Sequence, residues 1–379
     1  MGFGRQSLDF TGFVKTGTLC AIERAGKIKT ANRKAITIMT TVKTIEINGS
    51  EGGGQILRAA LAMSAAVGIP FHIRNIRGKR EKAGLGRQHL SAVRAAAAIC
   101  GAEVTGAEMN STELTFVPGE VQAGSYRFDI GTGGSTALVL QAIVPALVRV
   151  LTSGEKASVT VTGGTYCPFE PAFEFLKETL EPCLKRMGYP VTFTMPRPAF
   201  FQAAGGLVRM EAAGPFEPAP LEFRERGSLK SVNAVILNSH LPPEVAEREK
   251  RVLLNDFGDR LGLTEDAITL DTNPSIPEAG NAVLIRTEFQ SGTSVFSEIG
   301  RPRLAAEEAS VFLESDVPVC RHLQDQLLVP MALAGGGHFV TTAPSAHTRT
   351  CAAVIQAFTG KPVHMDQQKH GWLITVPSV

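Results

Sequence analysis

The residues of this chain best suited to chemistry begin at GSEGGGQILR, residues 49–58, where three consecutive glycines follow Glu51 and precede a helix-like run carrying Arg58. Consecutive glycines let backbone N–H groups approach a phosphate closely, and the start of a helix offers the positive end of its dipole. No GK[ST] ending follows, so this is not a P-loop, and the GxGxxG spacing of a dinucleotide-binding turn is absent. On the glycines alone, a tight strand-to-helix turn and an anion cradle are both open readings. Glu51 bears on the choice, because a carboxylate inside a phosphate loop repels its ligand unless a divalent cation sits between them. Arg58, one helical face further on, is placed to neutralise another phosphate oxygen.

The next stretch, HIRNIRGKREKAGLGRQHL, sets Arg74, Arg77, Lys79, Arg80, Lys82 and Arg87 against the single acid Glu81. Such density suits an anion track for a nucleic-acid backbone or a nucleotide tail, and equally a solvated basic loop. The chain has eight histidines, and a neutral imidazole can attack phosphorus or take up a proton near pH 7. His89, His322, His338, His347 and His370 fall beside glycine turns or basic segments. A surface or capped histidine is the ordinary role for each, and composition does not choose among them.

The elements that must position these residues follow one repeated plan: a short β-branched strand, a glycine-rich turn, an amphipathic helix and a return strand. The first block reads TIEI, GSEGGG, QILRAALAMSAAVG and FHIRNI; the second SYRFDI, GTGGST, ALVLQAIVPALVRVL and ASVTVTGG. A related block closes the chain with LAGGGHFVTTAPSAHTRTCAAVIQAFTG and WLITV. Strands alternating with helices at this spacing predict an α/β sandwich of repeated units rather than an all-α or all-β fold. Between Pro220 and Arg303 the texture changes to polar segments, a charged helix (PPEVAEREKRVLLNDFGDRLG) and a proline-rich loop, which reads as a smaller inserted domain. The charged helix reads as one with a solvated face.

At 379 residues and 44% hydrophobic, the chain can bury a sizeable core. No apolar run reaches the roughly 18 to 20 residues of a membrane span; even LVLQAIVPALVRVL is broken by Gln141, Pro145 and Arg149. The six cysteines form no CxxC pair, which fits a reducing cytoplasm and no membrane partner. The formal charge of +2 hides an asymmetry: residues 1–43 hold eight Lys or Arg against Asp9 and Glu23, leaving −4 for the rest. A global basic field does not advertise nucleic acid. Met39 stands just before the first strand-like alternation, so residues 1–40 read as an N-terminal extension outside the catalytic part, with a basic targeting peptide as the alternative.

SEGGGQILRAAL, IRGKREKAGLGRQHLSAV, IGTGGSTALVLQAIVPAL, DQLLVPMALAGGGHF and the PSAH that follows it together resemble the RNA 3′-terminal phosphate cyclases over residues 41–379. The resemblance implies an α/β (α+β) sandwich of repeated strand–helix units, with four-stranded sheets, paired helices and a smaller inserted α/β domain. It divides the chain into an extension (1–40), a catalytic domain (41–220 and 304–379) and the insertion (221–303). It also implies an ATP-dependent ligase: ATP adenylates a histidine, AMP passes to an RNA 3′-phosphate, and the 2′-hydroxyl displaces AMP to leave a 2′,3′-cyclic phosphate. The histidine after Pro-Ser, His347, would be the nucleophile. Glu51 would serve a divalent metal, Mg²⁺ or Mn²⁺, at the ATP phosphates. Arg58, Arg77, Arg80 and Gln88 would follow the phosphates or the RNA end. Gln141 and the segment His322, Leu323, Gln324, Asp325 and Gln326 would surround the nucleotide. The chain departs from the usual family segments at Tyr166 and Cys167 after GGT, at Gln202 and Ala204 in FFQAAGGL, and at His322, where a tyrosine is common. The alternative is a non-catalytic cyclase-like RNA-binding protein of ribosome biogenesis, which resembles the fold without the nucleophile.

Overall fold

In a computed structural model, residues 43–379 are described except for Pro274, together with the backbone of Val14–Gly17. The rest of the expected N-terminal extension lies outside the described residues; Val14–Gly17 pairs antiparallel with Thr44–Asn48.

Three sheets share one topology. In the first, Thr44–Asn48 and Phe71–Arg74 run parallel, Leu114–Val117 lies antiparallel to the latter, and Glu103–Thr105 forms the outer strand. The second repeats this with Gly124–Asp129, Ala157–Gly163, Gly206–Ala212 and Val191–Arg197. The third does so with Leu221–Phe223, Gly337–Thr341, Trp372–Val376 and His364–Gln367. Parallel neighbours cannot be joined by a hairpin, so each leading pair needs a crossover, and helices supply it. Alternation sets the register: in TIEIN, Ile45 and Ile47 are buried while Glu46 is only partly covered.

The helices of the repeats are α1 (Gln55–Val67) and α2 (Arg87–Cys100), then α3 (Thr136–Ile143), which runs through a 3₁₀ turn into α4 (Val148–Leu151). A π-helical segment Phe175–Leu180 continues as α5 (Glu181–Arg186). After the inserted unit with α6 (Pro243–Leu261) and α7 (Pro302–Glu314) come α8 (Gln324–Leu333) and α9 (Ala346–Thr359). Helix α1 is the hub, packing against α2, α3, α8 and α9. It is buried nearly all round, and alanines at 59, 60, 62, 65 and 66 let neighbouring backbones come close. Leu57, Leu61 and Met63 are fully buried there, each stabilising the fold by roughly 2 kcal/mol. The first and third repeats are therefore joined through α1 and α9, the two helices whose N-terminal ends carry the glycine loop and His347.

The third crossover contains the insertion. Its sheet runs Ile268–Thr272, Leu229–Ser239, Gly280–Phe289 and Gly292–Ile299, covered by α6 and α7. The segment expected as 221–303 is bounded, by hydrogen bonding and packing, by Leu221–Phe223, a strand of the third sheet, and by α7, which lies on the inserted sheet. Helix α6 buries Ala246, Leu253, Phe257 and Leu261 as a single stripe. The insertion docks on the π-helical segment: Arg286 forks onto Glu178 at 2.7 and 2.9 Å, and the Val295 N–H donates to Thr179 Oγ1 at 3.1 Å. No helix among the described residues is long and apolar enough to cross a membrane. The five described cysteines are free and buried.

Candidate active site

Gly52 and Gly53 take φ values of +70° and +59°, a region where a side chain is strained. A methyl group on Gly52 would stand 2.6 Å from Thr350 Oγ1, and one on Gly53 would stand 3.2 Å from an Arg80 guanidinium nitrogen. On Gly54 it would meet His89 Nε2 at 2.5 Å and Arg58 Nη1 at 3.0 Å. The glycines are what allow α9, Arg80, His89 and Arg58 to converge on one loop. Ser135 caps α3 and Ser345 caps α9 through their side chains. Helix α1 has Gly54 at that position, with no side-chain cap and no acid in its first turn. The Gln55 N–H is bonded to Gly52 O at 3.1 Å, and no side chain caps the N–H groups that follow, which leaves that end of the helix open to an anion.

Arg58 is half-buried; Nη2 donates to Gln55 Oε1 at 2.7 Å, and Nε is buried without a protein partner. Burial lowers its pKa, and Glu170, Asp325 and Cys351 pull it back. A buried guanidinium N–H without a partner costs free energy that an incoming anion would recover. Burial pushes the Asp325 carboxyl up to about 6 against the opposing pull of Arg58, and Gln326 Nε2 donates to its Oδ2 at 2.8 Å. Both polar atoms of the Gln141 carboxamide are buried without a protein partner. Gln55, Arg58, Gln141, Asp325 and Gln326 line one narrow pocket of about 30 Å³, walled by Val144, Leu176 and other apolar side chains. Between these apolar walls the free amide and the free guanidinium N–H are groups left open to a polar ligand.

His347 stands in the first turn of α9 and is reachable from solvent. Partial burial lowers its pKa, and the positive charges of Arg58, Arg80, Arg321 and His322 add to the effect. The helix N-terminus disfavours the imidazolium in the same sense. His347 is therefore a neutral imidazole with a lone pair, set in a field that attracts phosphate. Its turn is braced by Gln324, whose Oε1 accepts from the Ser345 N–H at 3.1 Å and from Thr348 Oγ1 at 2.8 Å. The Gln324 Nε2 donates to Thr341 Oγ1 at 2.8 Å and to Thr342 Oγ1 at 3.2 Å.

The residues singled out in the sequence divide into those gathered here and those used elsewhere. Arg58, Arg80, Gln141, Asp325, Gln326 and His347 converge on the loop and cleft. Arg77 takes a positive φ of 55° and donates to Gly84 O at 2.9 Å, close by Gly86 and His89. Gln88 ties the GTGGST turn to the site, accepting from the Ser135 N–H at 2.7 Å and donating to Glu170 at 3.4 Å. Leu323 lies in the core, and the Gln324 amide is engaged at both ends within the protein. Glu308 of α7 holds His322 Nε2 at 2.8 Å. Burial alone would lower the His322 pKa, but Glu308 outweighs it and, with Asp325, holds it above the ordinary value. His338 sits on a strand beside Arg224, and His370 is exposed in a hairpin turn. One contributor was only a candidate among the histidines of the sequence, and a second escaped it. His89 is a neutral imidazole driven down to about 3 by burial, Arg58 and Arg77. Glu170 is a buried carboxyl raised by burial and opposed by Arg58. Glutamine 88 beside His89 was a signal for the first; nothing local marks the second.

Glu51 is ion-paired with Lys79, and among the described residues no three His, Cys, Asp or Glu side chains gather to hold a metal alone. One carboxylate beside a phosphate loop fits Mg²⁺ or Mn²⁺ that takes most of its ligands from phosphate and water.

A family model described as RNA 3′-terminal phosphate cyclase matches residues 49–365. The chain belongs to the RNA 3′-terminal phosphate cyclase family. Proteins named RNA 3′-terminal phosphate cyclase from Pseudomonas fluorescens and Ectopseudomonas mendocina are each 42% identical to it, aligned over 83% of this chain and 92% of the relative. One from Koribacter versatilis is 40% identical, over 83% of this chain and 89% of the relative. The matched span begins at the glycine loop and runs past His347, so it takes in both halves of the site.

Substituting Gln324 tests what its bracing of the His347 turn does. Gln324→Ala removes a hydrogen bond from four partners, of which Thr341 Oγ1 keeps Val319 O and Thr348 Oγ1 keeps Ser345 Oγ; each buried group left unsatisfied costs about 1–3 kcal/mol, and the turn bearing His347 loosens. A positioning role predicts kcat down about 10- to 100-fold with KM for ATP unchanged; a nucleotide contact predicts the reverse. Steady-state kinetics over a range of ATP concentrations separates the two.

Proposed function

We infer that the protein converts an RNA 3′-terminal phosphate to a 2′,3′-cyclic phosphodiester at the expense of ATP, releasing AMP and pyrophosphate. The observation that carries the reading is His347: a neutral imidazole at the N-terminus of the helix that contacts a glycine loop flanked by Arg58 and Arg80. The ring nitrogen attacks the α-phosphorus, forming a P–N bond as the bond to pyrophosphate breaks. Arg58, Arg80 and the first N–H groups of α1 hold the charge that builds on the leaving group. An RNA 3′-phosphate oxygen then displaces the imidazole to take AMP, and the ribose 2′-oxygen displaces AMP to close the ring. Arg77, Gln88 and Glu170 flank the path of that RNA end. Gln141, Asp325 and Gln326 orient the nucleotide. When bound at Glu51, a divalent cation supplies further charge neutralisation to the phosphates; Lys79 must then yield its partner.

Residues 43–223 and 316–379 form the catalytic part in this reading, and the inserted unit contributes to its rim. RNA processing in the cytoplasm fits the RNA end as substrate and the reduced, buried cysteines. A non-catalytic RNA-binding role gains no support from His347, whose depressed pKa serves chemistry rather than binding. The direct test is an oligoribonucleotide with a 3′-phosphate, incubated with the protein, ATP and Mg²⁺. Its terminal phosphate is expected to become resistant to phosphatase and to revert to sensitivity after acid opening. A terminus that stays phosphatase-sensitive throughout defeats the reading.

A further inference from the structure

Phe169 holds a backbone conformation that nothing local rewards. Its φ is +62°, a region that strains a residue with a bulky side chain and no polar group to bond the backbone. Its ring is 67% exposed, so burial does not repay the strain either. What holds it comes from the insertion. The Arg301 guanidinium lies over the ring, 4.2 Å from its centre, close enough for a cation–π contact. The Phe169 backbone N–H faces the buried Glu298 carboxyl, which burial raises and the N–H groups of Ile299 and Phe169 pull back.

The position of this aromatic is informative. Its neighbour Glu170 reaches Gln88 at 3.4 Å and lies in the field of Arg58, so Phe169 sits at the rim of the site. A second aromatic, Phe201, is 40% exposed. Its carbonyl packs on Gly133, and the next glycine abuts the Gln88 carboxamide. Arg87, exposed, approaches Gly131 of the same turn. Two exposed aromatic residues and two arginines thus border the turn and loop that meet at Gln88 and Glu170. Aromatic faces interleaved with guanidinium groups are the chemistry that single-stranded RNA requires: rings for its bases and cations for its phosphates.

We propose that Phe169, backed by Arg301, stacks an unpaired nucleobase at the 3′ end of single-stranded RNA, with Phe201 flanking it and Arg87 on the backbone. The insertion thereby contributes the clamp that presents the platform. This rests on the reading of the protein as acting on RNA ends, and the observations favour RNA over ATP because the rings face outward while the free Gln141 amide and Arg58 lie inside the cleft.

The experiment compares wild type, Phe169→Gly and Phe169→Tyr by fluorescence anisotropy with a labelled 3′-phosphorylated oligoribonucleotide, and by AMP labelling from ATP without RNA. Phe169→Gly relieves the positive φ, so its melting temperature should equal or exceed that of wild type. RNA affinity should fall about 10-fold, the range lost with one stacked base, while Phe169→Tyr stays near wild type. Replacing the 3′-terminal nucleotides with abasic residues should weaken wild type and leave Phe169→Gly nearly unaffected. Unchanged RNA affinity in Phe169→Gly overturns the proposal. So does slower AMP labelling without RNA, which would assign the ring to the base of ATP. Since binding is read without turnover, failure to cyclise RNA would reject the cyclase reading without deciding this one.

Discussion

His347→Ala will take up no acid-labile AMP from α-labelled ATP and a divalent cation, and its RNA cyclisation will fall by about 10³-fold or more. The expectation follows from three independent features of one side chain. Its lone pair is available near neutral pH because partial burial and the charges of Arg58, Arg80, Arg321 and His322 depress its pKa. Its place in the first turn of α9 puts it on the helix that the glycine loop contacts through Gly52 and Thr350. No other histidine near the loop replaces it: His89 is spent accepting from the Gly86 N–H at 3.3 Å, and His322 is held by Glu308. The change removes a surface-accessible ring, so folding should survive, and a melting temperature within a few degrees of wild type is the control. Equal labelling of His347→Ala and wild type, read by mass spectrometry of the 346–359 region, sinks the mechanism.

What the sequence disclosed and what it withheld follow a physical division. The repeat was visible because strand alternation and glycine turns are local, and TIEIN or QILRAALAMSAAV carries its own period. Leu221–Phe223 was hidden for the opposite reason: a three-residue strand has almost no period, and its partner, Gly337–Phe339, lies more than a hundred residues away. Helix α7 shows one apolar stripe, but a stripe does not say which sheet it will cover. Among the histidines, composition left five candidates, and only the resemblance selected His347. The charge field around His347 is assembled from the first and third repeats. Glu170 and Glu308 gave no signal, since each matters only through a partner brought near by the fold. Gln324 shows a related case: its position in the motif suggests a nucleotide contact, and the hydrogen bonds it makes to the turn of His347 become visible only in the fold.

Arg58→Met will lower cyclisation by about 10²- to 10³-fold, the loss seen when one donor to a developing oxyanion is removed, and will shift the pH profile as well. The side chain is half-buried, with Nε unpartnered and a single 2.7 Å bond to Gln55, so the fold uses it little and an incoming phosphate would use it fully. Methionine fills a similar volume without the charge, and lysine should not rescue, since a point charge cannot replace the planar fork. The pH effect has a definite sign. His347 acts in its neutral form, so the rate falls as pH drops through its pKa. Burial comes first in depressing that pKa, and Arg58 is the largest charge assisting it. Without Arg58 the pKa rises and the acidic limb of the profile moves toward neutrality. Asp325, already pushed up to about 6 by burial, loses the charge that most opposes that rise, so its ionised fraction near pH 7 falls and nucleotide affinity weakens with it. Single-turnover adenylation measured between pH 5 and 8 separates the two contributions, because the His347 shift survives saturation with ATP and the Asp325 effect does not. A profile whose acidic limb stays in place removes Arg58 from the field that tunes the nucleophile.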